Sequence, residues 1–168
     1  MISRLRLSRS ITLLTVLLAA LPSQAGAAGD WGINLYGLSY HWDRGLAKTM
    51  GWDNEFNPGL GLRYRLGPRL KGESFVDAGA YRDSGRNTAL YAALGVQWPL
   101  DEHKAWWLGA AITAFNSDTY NQGDPFIAPI PLLSWRLEPV TLNLTHFPKF
   151  SGFNDIHTTA FFLTFPLP

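Results

Sequence analysis

Apolar and polar residues alternate with a period of two along most of this chain. Residues 56 to 66, FNPGLGLRYRL, show it most clearly. Phe56, Pro58, Leu60, Leu62, Tyr64 and Leu66 share one face, and Asn57, Gly59, Gly61, Arg63 and Arg65 share the other. Residues 90 to 98 set Leu90, Ala92, Leu94, Val96 and Trp98 outward and Tyr91, Ala93, Gly95 and Gln97 inward, and residues 140 to 145 set Val140, Leu142 and Leu144 against Thr141, Asn143 and Thr145. Side chains of an extended strand point alternately to its two faces, so this pattern predicts strands with unlike faces. Similar runs at about 31–42, 73–83, 105–116, 125–136 and 155–165 bring the predicted strands to eight. Each is about ten residues long, the length a tilted strand needs to cross a bilayer. An even set of such strands predicts an all-β fold, an eight-stranded antiparallel transmembrane β-barrel of the outer membrane. A soluble barrel of lipocalin size has the same alternation and is the alternative.

The first residues follow another pattern. Arg4, Arg6 and Arg9 precede an apolar run, residues 11–22, and small residues follow it at Ser23-Gln24-Ala25 and Ala25-Gly26-Ala27. This reads as a secretory signal peptide over 1–28, cleaved between 25 and 28, ahead of one barrel domain over 29–168. The apolar run is too short for a membrane helix. Without those three Arg the chain has 11 Lys+Arg against 13 Asp+Glu, which argues against nucleic acid as a partner. It contains no Cys, so disulfides and thiolate metal sites are excluded.

The predicted connections sort into two kinds. One end has short links at 67–72, 100–104 and 137–139; the other has mostly longer ones at 43–55, 117–124 and 148–154, with a tight turn at 84–87. Longer loops on the cell-surface side are usual for such barrels. Aromatic residues gather near both levels: Trp31, Trp98, Trp106, Trp107 and Trp135 at the periplasmic end, and Tyr40, Trp42, Phe56, Tyr81, Phe115 and Phe126 at the outer end. Rings with a polar edge favour the headgroup level.

Inward polar positions concentrate in the periplasmic half, at Arg63, Arg65, Asp77, Gln97 and Asn143. The outer half is more apolar inside, with Phe75 to Tyr81, Tyr91, Ala93, Phe115 and Ile127. Two interiors fit this distribution: an apolar chamber over a floor of paired charges, or a barrel filled by side chains. Gly95 points inward midway down its strand, where a missing side chain lets something approach the backbone. A hydrocarbon chain ending there would have its length measured. Pro129 and Pro131 interrupt the sixth predicted strand, and a residue without an N–H breaks a ladder. They predict a lateral gap through which a lipid tail enters, and Pro58 predicts a second one across the barrel.

With the strands so oriented, His41 and the pair Asp83-Ser84 reach one rim although they are 42 residues apart. Imidazole, carboxylate and hydroxyl together suit acyl chemistry. Asp, Ser, Gly and Asn also suit a plain hairpin turn, and both readings of AYRDSGRN stand at this point. His146 and His157 reach the same edge, without the spacing of a metal site. Arg44, Lys48, Arg82, Arg86 and Lys149 fall in or near outer loops and are candidates for lipid phosphates.

These residues resemble the outer-membrane lipid A palmitoyltransferases of the PagP type. The likeness runs from about Tyr36 to Phe165 and is carried by SYHW at His41, YRDSG at Asp83-Ser84, NPGLGLRY, PFIAPIPLLSW, and Gly95 eleven residues after Ser84. It implies transfer of palmitate from a phospholipid donor to a hydroxyacyl chain of lipid A, by a monomer without cofactor or metal, at a site facing the cell surface. It further implies that His41 is the general base, oriented by Asp83, and that Ser84 either forms an acyl-enzyme or polarises the carbonyl. Tyr81 and Tyr91 would border the chain, and Gly95 would set its length. The chain departs from the family in having few residues between the cleavage region and Trp31, Tyr36 in the region of the family's proline, and the ending Phe165-Pro166-Leu167-Pro168. A lipid A deacylase, whose His-x-Ser is replaced here by His146-Phe147-Pro148, and a structural or adhesive barrel are the alternatives.

Overall fold

The computed structural model describes residues 30–150 and 153–168, and the expected leader lies outside them. Eight antiparallel strands form a closed barrel: β1 (Trp31–His41), β2 (Phe56–Arg69), β3 (Gly72–Arg82), β4 (Thr88–Pro99), β5 (Trp106–Asn116), β6 (Phe126–Leu137), β7 (Val140–Phe147) and β8 (Thr158–Pro166). Each strand pairs with its sequence neighbours, and β1 closes the ring on β8 from Gly32↔Pro166 to His41↔Thr158. The strands fall where the alternation placed them because the pleat alone separates an apolar outer face from the interior. Leu60 and Leu62 of β2 are exposed, and their neighbours Gly61 and Arg63 are buried. An outward apolar band around a partly polar lumen is the arrangement that hydrocarbon solvates.

Several predicted placements change. Ile127 was expected inside, but it is 56% exposed on the outer wall, while Ala128 and Ile130 turn inward. Trp107 and Phe126 leave the aromatic belts for the interior, and Tyr81 and Phe115, expected at both, also belong to the interior. Trp107 lies beneath the Arg136 guanidinium, 3.7 Å from its ring centre. An α-helix was not foreseen. A short helix, α1 (Arg44–Met50), sits in the first long connection, capped by the Asp43 carboxylate on the Leu46 N–H and ended by Gly51 at φ 71°. That left-handed backbone suits glycine.

The half of the lumen away from the long connections is polar and satisfied. Arg63 meets Asp77 in a two-pronged pair at 2.8 and 2.7 Å, with both groups buried. Asn143 ties this level to Ser134 and Thr164, Thr164 donates to Asn34, and Gln97 donates to Ser134. Burial without partners would be costly for each group, and the network removes that cost. Above it lies a ring layer. Tyr36 packs on Phe162 and Tyr81, and its hydroxyl hydrogen-bonds that of Tyr91.

Candidate functional site

The rim with the long connections is where β1, β3 and β5 end. His41 closes β1 and is only 1% exposed. Its Nε2 lies 2.8 Å from the Ser84 hydroxyl. The predicted meeting of residues from two distant strands is therefore made at contact distance. Its third member differs from the prediction. The buried Nδ1 of His41 faces the Glu55 carboxylate, 3.5 Å away, and the same oxygen accepts the His41 backbone N–H at 3.1 Å. Arg44 holds Glu55 from the far side at 3.2 and 2.8 Å. Burial pushes the Glu55 carboxyl up, but the His41 N–H and the Arg44 guanidinium pull it below the ordinary range, so it is charged near neutrality.

Asp83, expected to orient His41, is engaged elsewhere. One carboxylate oxygen accepts the Asn87 backbone N–H at 2.9 Å, and the other accepts the Ser117 hydroxyl. Its backbone N–H donates to Asn87 and its carbonyl accepts from Arg86, which stands at φ 66°. The choice between turn and site is thus divided between neighbours. Asp83 builds the turn, and the turn presents Ser84. Asn54 fastens it to the first connection by donating its side-chain amide to the Asp83 carbonyl and its backbone N–H to the Ser84 carbonyl. Gly85 lets the connection at 117–124 close in, since a Cβ there would come within 2.3 Å of the Thr119 hydroxyl.

That connection carries Tyr120, which the sequence did not single out. Its phenol interacts with the side chain and backbone of Ser84, and its ring meets Trp52 edge-on. Burial pushes its pKa up to about 12, so it is a proton-bearing donor at neutral pH. Of the predicted basic residues, Arg44 is paired with Glu55 and Arg86 with Asp53 at 2.9 Å, whereas Arg82, Lys48 and Lys149 are exposed. His146 and His157 stack at 5.6 Å on the outer side of the rim. His103 is exposed in the turn before β5.

Below Ser84 opens a cavity of about 290 Å³, walled mainly by aromatic and aliphatic groups, including Tyr81, Phe115, Ile130 and Phe162. Its side wall is incomplete. The β6–β7 ladder runs from Leu137↔Val140 only to Leu132↔Thr145, although β6 continues to Phe126. Pro129 and Pro131 stand in that unpaired length. Alternate residues of a strand direct their N–H groups to the same edge, so prolines two apart remove successive donors from one edge. The Thr145 hydroxyl caps the Pro131 carbonyl at 2.9 Å. The gap predicted from the prolines is present at this seam. At Pro58 it is not: β1 and β2 shift register near Gly37, then pair again at Leu38↔Phe56.

Gly95 does not floor the cavity. The Phe75 ring lies on it, and a Cβ at Gly95 would come within 2.3 Å of that ring. Tyr91 likewise stands behind Tyr36 rather than in the cavity wall. The missing side chain at Gly95 admits a close approach, and the approaching group is the protein's own phenylalanine.

No family model and no curated protein matches the chain. Solved structures of similar fold include a barrel from the de novo design of transmembrane β-barrels, 12% identical, covering 86% of this chain and all of that one with a TM-score of 0.55. Another is the Yersinia pestis outer membrane protein Ail, 11% identical, covering 83% of this chain and 99% of that one with a TM-score of 0.51. At such identities the likeness is one of fold, the eight-stranded outer-membrane barrel.

Proposed function

We propose that this protein is a lipid acyltransferase of the bacterial outer membrane, exported by its cleaved leader, that moves an acyl chain from a glycerophospholipid to a hydroxyacyl chain of lipid A. The observation that carries this reading is the 2.8 Å contact between Ser84 Oγ and His41 Nε2 at the mouth of a laterally open apolar cavity. A base bonded to a hydroxyl, and itself facing a carboxylate, is the arrangement that activates an oxygen nucleophile.

In this reading the rim faces the cell surface and a donor tail enters through the β6–β7 seam. His41 takes the Ser84 proton as Oγ attacks the ester carbonyl. Glu55 stabilises the imidazolium, and Tyr120 donates to the oxyanion. Collapse breaks the bond to the glycerol oxygen, which leaves with the proton from His41 as a lysophospholipid. The lipid A hydroxyl then gives its proton to His41 and attacks the acyl-Ser84 carbonyl. Ser84 recovers its proton as the acylated product leaves. Exposed Arg82, Lys48 and Lys149 are the basic groups free to meet lipid A phosphates. The family resemblance supports the choice of donor and acceptor.

The test supplies purified protein with a phospholipid labelled in one acyl chain, with and without lipid A. Label moving to lipid A, and lost in Ser84→Ala, is the expected result. Free fatty acid alone replaces transfer by hydrolysis, as in a deacylase, and absence of turnover leaves a structural barrel.

A further inference from the structure

The cavity that begins at Ser84 stops at the ring layer. Tyr36 and Phe162 belong to its wall; Tyr91, Phe75, Ala93 and Gly95 do not. The layer is braced rather than loosely filled. Tyr36 and Phe162 are 4.9 Å apart at 33°, and Tyr36 and Tyr91 are hydrogen-bonded. Gly61 makes room for Tyr91, whose hydroxyl a Cβ there would meet at 2.3 Å. Directly beneath, the Arg63 guanidinium lies over the Phe75 ring at 4.3 Å and pairs with Asp77. A hydrocarbon pushed past the rings would have to displace that buried ion pair and could replace none of the bonds it broke, so the layer is an energetic stop as well as a steric one.

Its depth follows from the strands. His41 and Tyr36 are four or five steps apart on β1, allowing for the bulge near Gly37, which at about 3.3 Å per residue and a tilt of about 40° is a drop of roughly 10–13 Å. Gly95 pairs with Phe75, eight residues below Asp83 on β3, and lies roughly 20 Å down by the same count. An extended hydrocarbon with bonds of about 1.5 Å advances about 1.3 Å per carbon.

We propose that the Tyr36–Tyr91–Phe162 layer is the length stop of the slot, which therefore takes a chain of about eight to ten carbons rather than the longer chain that Gly95 would admit. That the natural ligand is an acyl chain rests on the acyltransferase reading; the stop itself is a property of the cavity. Palmitate, implied by the family resemblance, is too long to be held within it.

The experiment is calorimetric titration of the protein, held in amphipol, with a homologous series of straight-chain fatty acids. Affinity should rise about fourfold with each methylene that enters the slot and stop rising at about ten carbons. Phe162→Leu and Phe162→Ala should carry the rise at least one carbon further, a gain of about fourfold for the next acid. Tyr36→Phe, which keeps the ring, should leave the break in place, as should Gly95→Ala and Phe75→Leu below it. Affinity still rising at sixteen carbons in the unaltered protein overturns the proposal. So does a break that follows position 95 or 75 and ignores Phe162, and so does absence of binding. The titration needs no turnover. A break at the expected length with no label transfer removes the acyltransferase and keeps the stop, whereas transfer with an affinity that rises throughout does the reverse.

Discussion

Replacing Glu55 by Gln keeps an acceptor for the His41 backbone N–H and removes one charge. That charge stands 3.5 Å from His41 Nδ1. Two unit charges at this distance interact by about 5 kcal/mol at an effective dielectric of 20 and about 1 kcal/mol in bulk water. The Glu55 side chain is 31% exposed and that of His41 2%, so the pair lies between these limits. A loss of about 2–3 kcal/mol of support for the imidazolium is expected, which is about a 30- to 150-fold fall in kcat. Because Glu55 does not wall the cavity, KM for the donor should change little. The assay is steady-state label transfer, with circular dichroism to confirm the barrel and Ser84→Ala as the blank. The same measurements on Asp83→Asn give the contrast, since Asp83 holds Asn87 and Ser117: its loss should loosen the turn and lower the melting temperature. If Glu55→Gln keeps kcat within about threefold while a well-folded Asp83→Asn loses more than about a hundredfold, the orienting role returns to Asp83 and the reasoning from the 3.5 Å contact fails.

Three further outcomes are expected. Tyr120→Phe keeps the ring against Trp52 and removes the donor beside Ser84, so kcat should fall about a hundredfold with binding retained, as read by pre-steady-state acylation. Asp77→Ala leaves the Arg63 guanidinium buried without its partner and should cost about 3–5 kcal/mol in urea unfolding from detergent, much of it restored when Arg63 is also replaced by Met. The Glu55 carboxyl has a lower pKa folded than unfolded, so its contribution to stability is complete above the ordinary carboxylate range and disappears as the pH falls through the depressed folded value. Thermal melts from neutral to acid pH should therefore converge for the native protein and Glu55→Gln at the acid end, and parallel curves would contradict this.

Much of the barrel was legible because its evidence is local. A pleated strand exposes alternate residues to different surroundings whatever its partners are, so eight alternating runs specify eight strands and the inward set from Arg63 to Asn143. The absence of an N–H at Pro129 and Pro131 is also local, and it placed the open seam before any partner strand was known. Helix α1 has seven residues, too few for a helical period to show in a window of ordinary length. Trp107 and Phe126 were placed in the belts, and Tyr81 and Phe115 in both belt and interior, because an aromatic residue near a strand end has the same composition whether it faces lipid or lumen.

The sequence by itself determined the strands, the polar half of the lumen, and the arrival of His41 and Ser84 at one rim, all of which follow from alternation and chain direction. Only the tertiary structure decided that Glu55 rather than Asp83 faces the imidazole, that Tyr120 reaches Ser84, and that Phe75 occupies the space Gly95 leaves. The reason is that these are contacts between separate connections or across a strand pair. They depend on barrel closure, on the caps of α1 and on which side chain enters a vacancy, and no period along the chain encodes those.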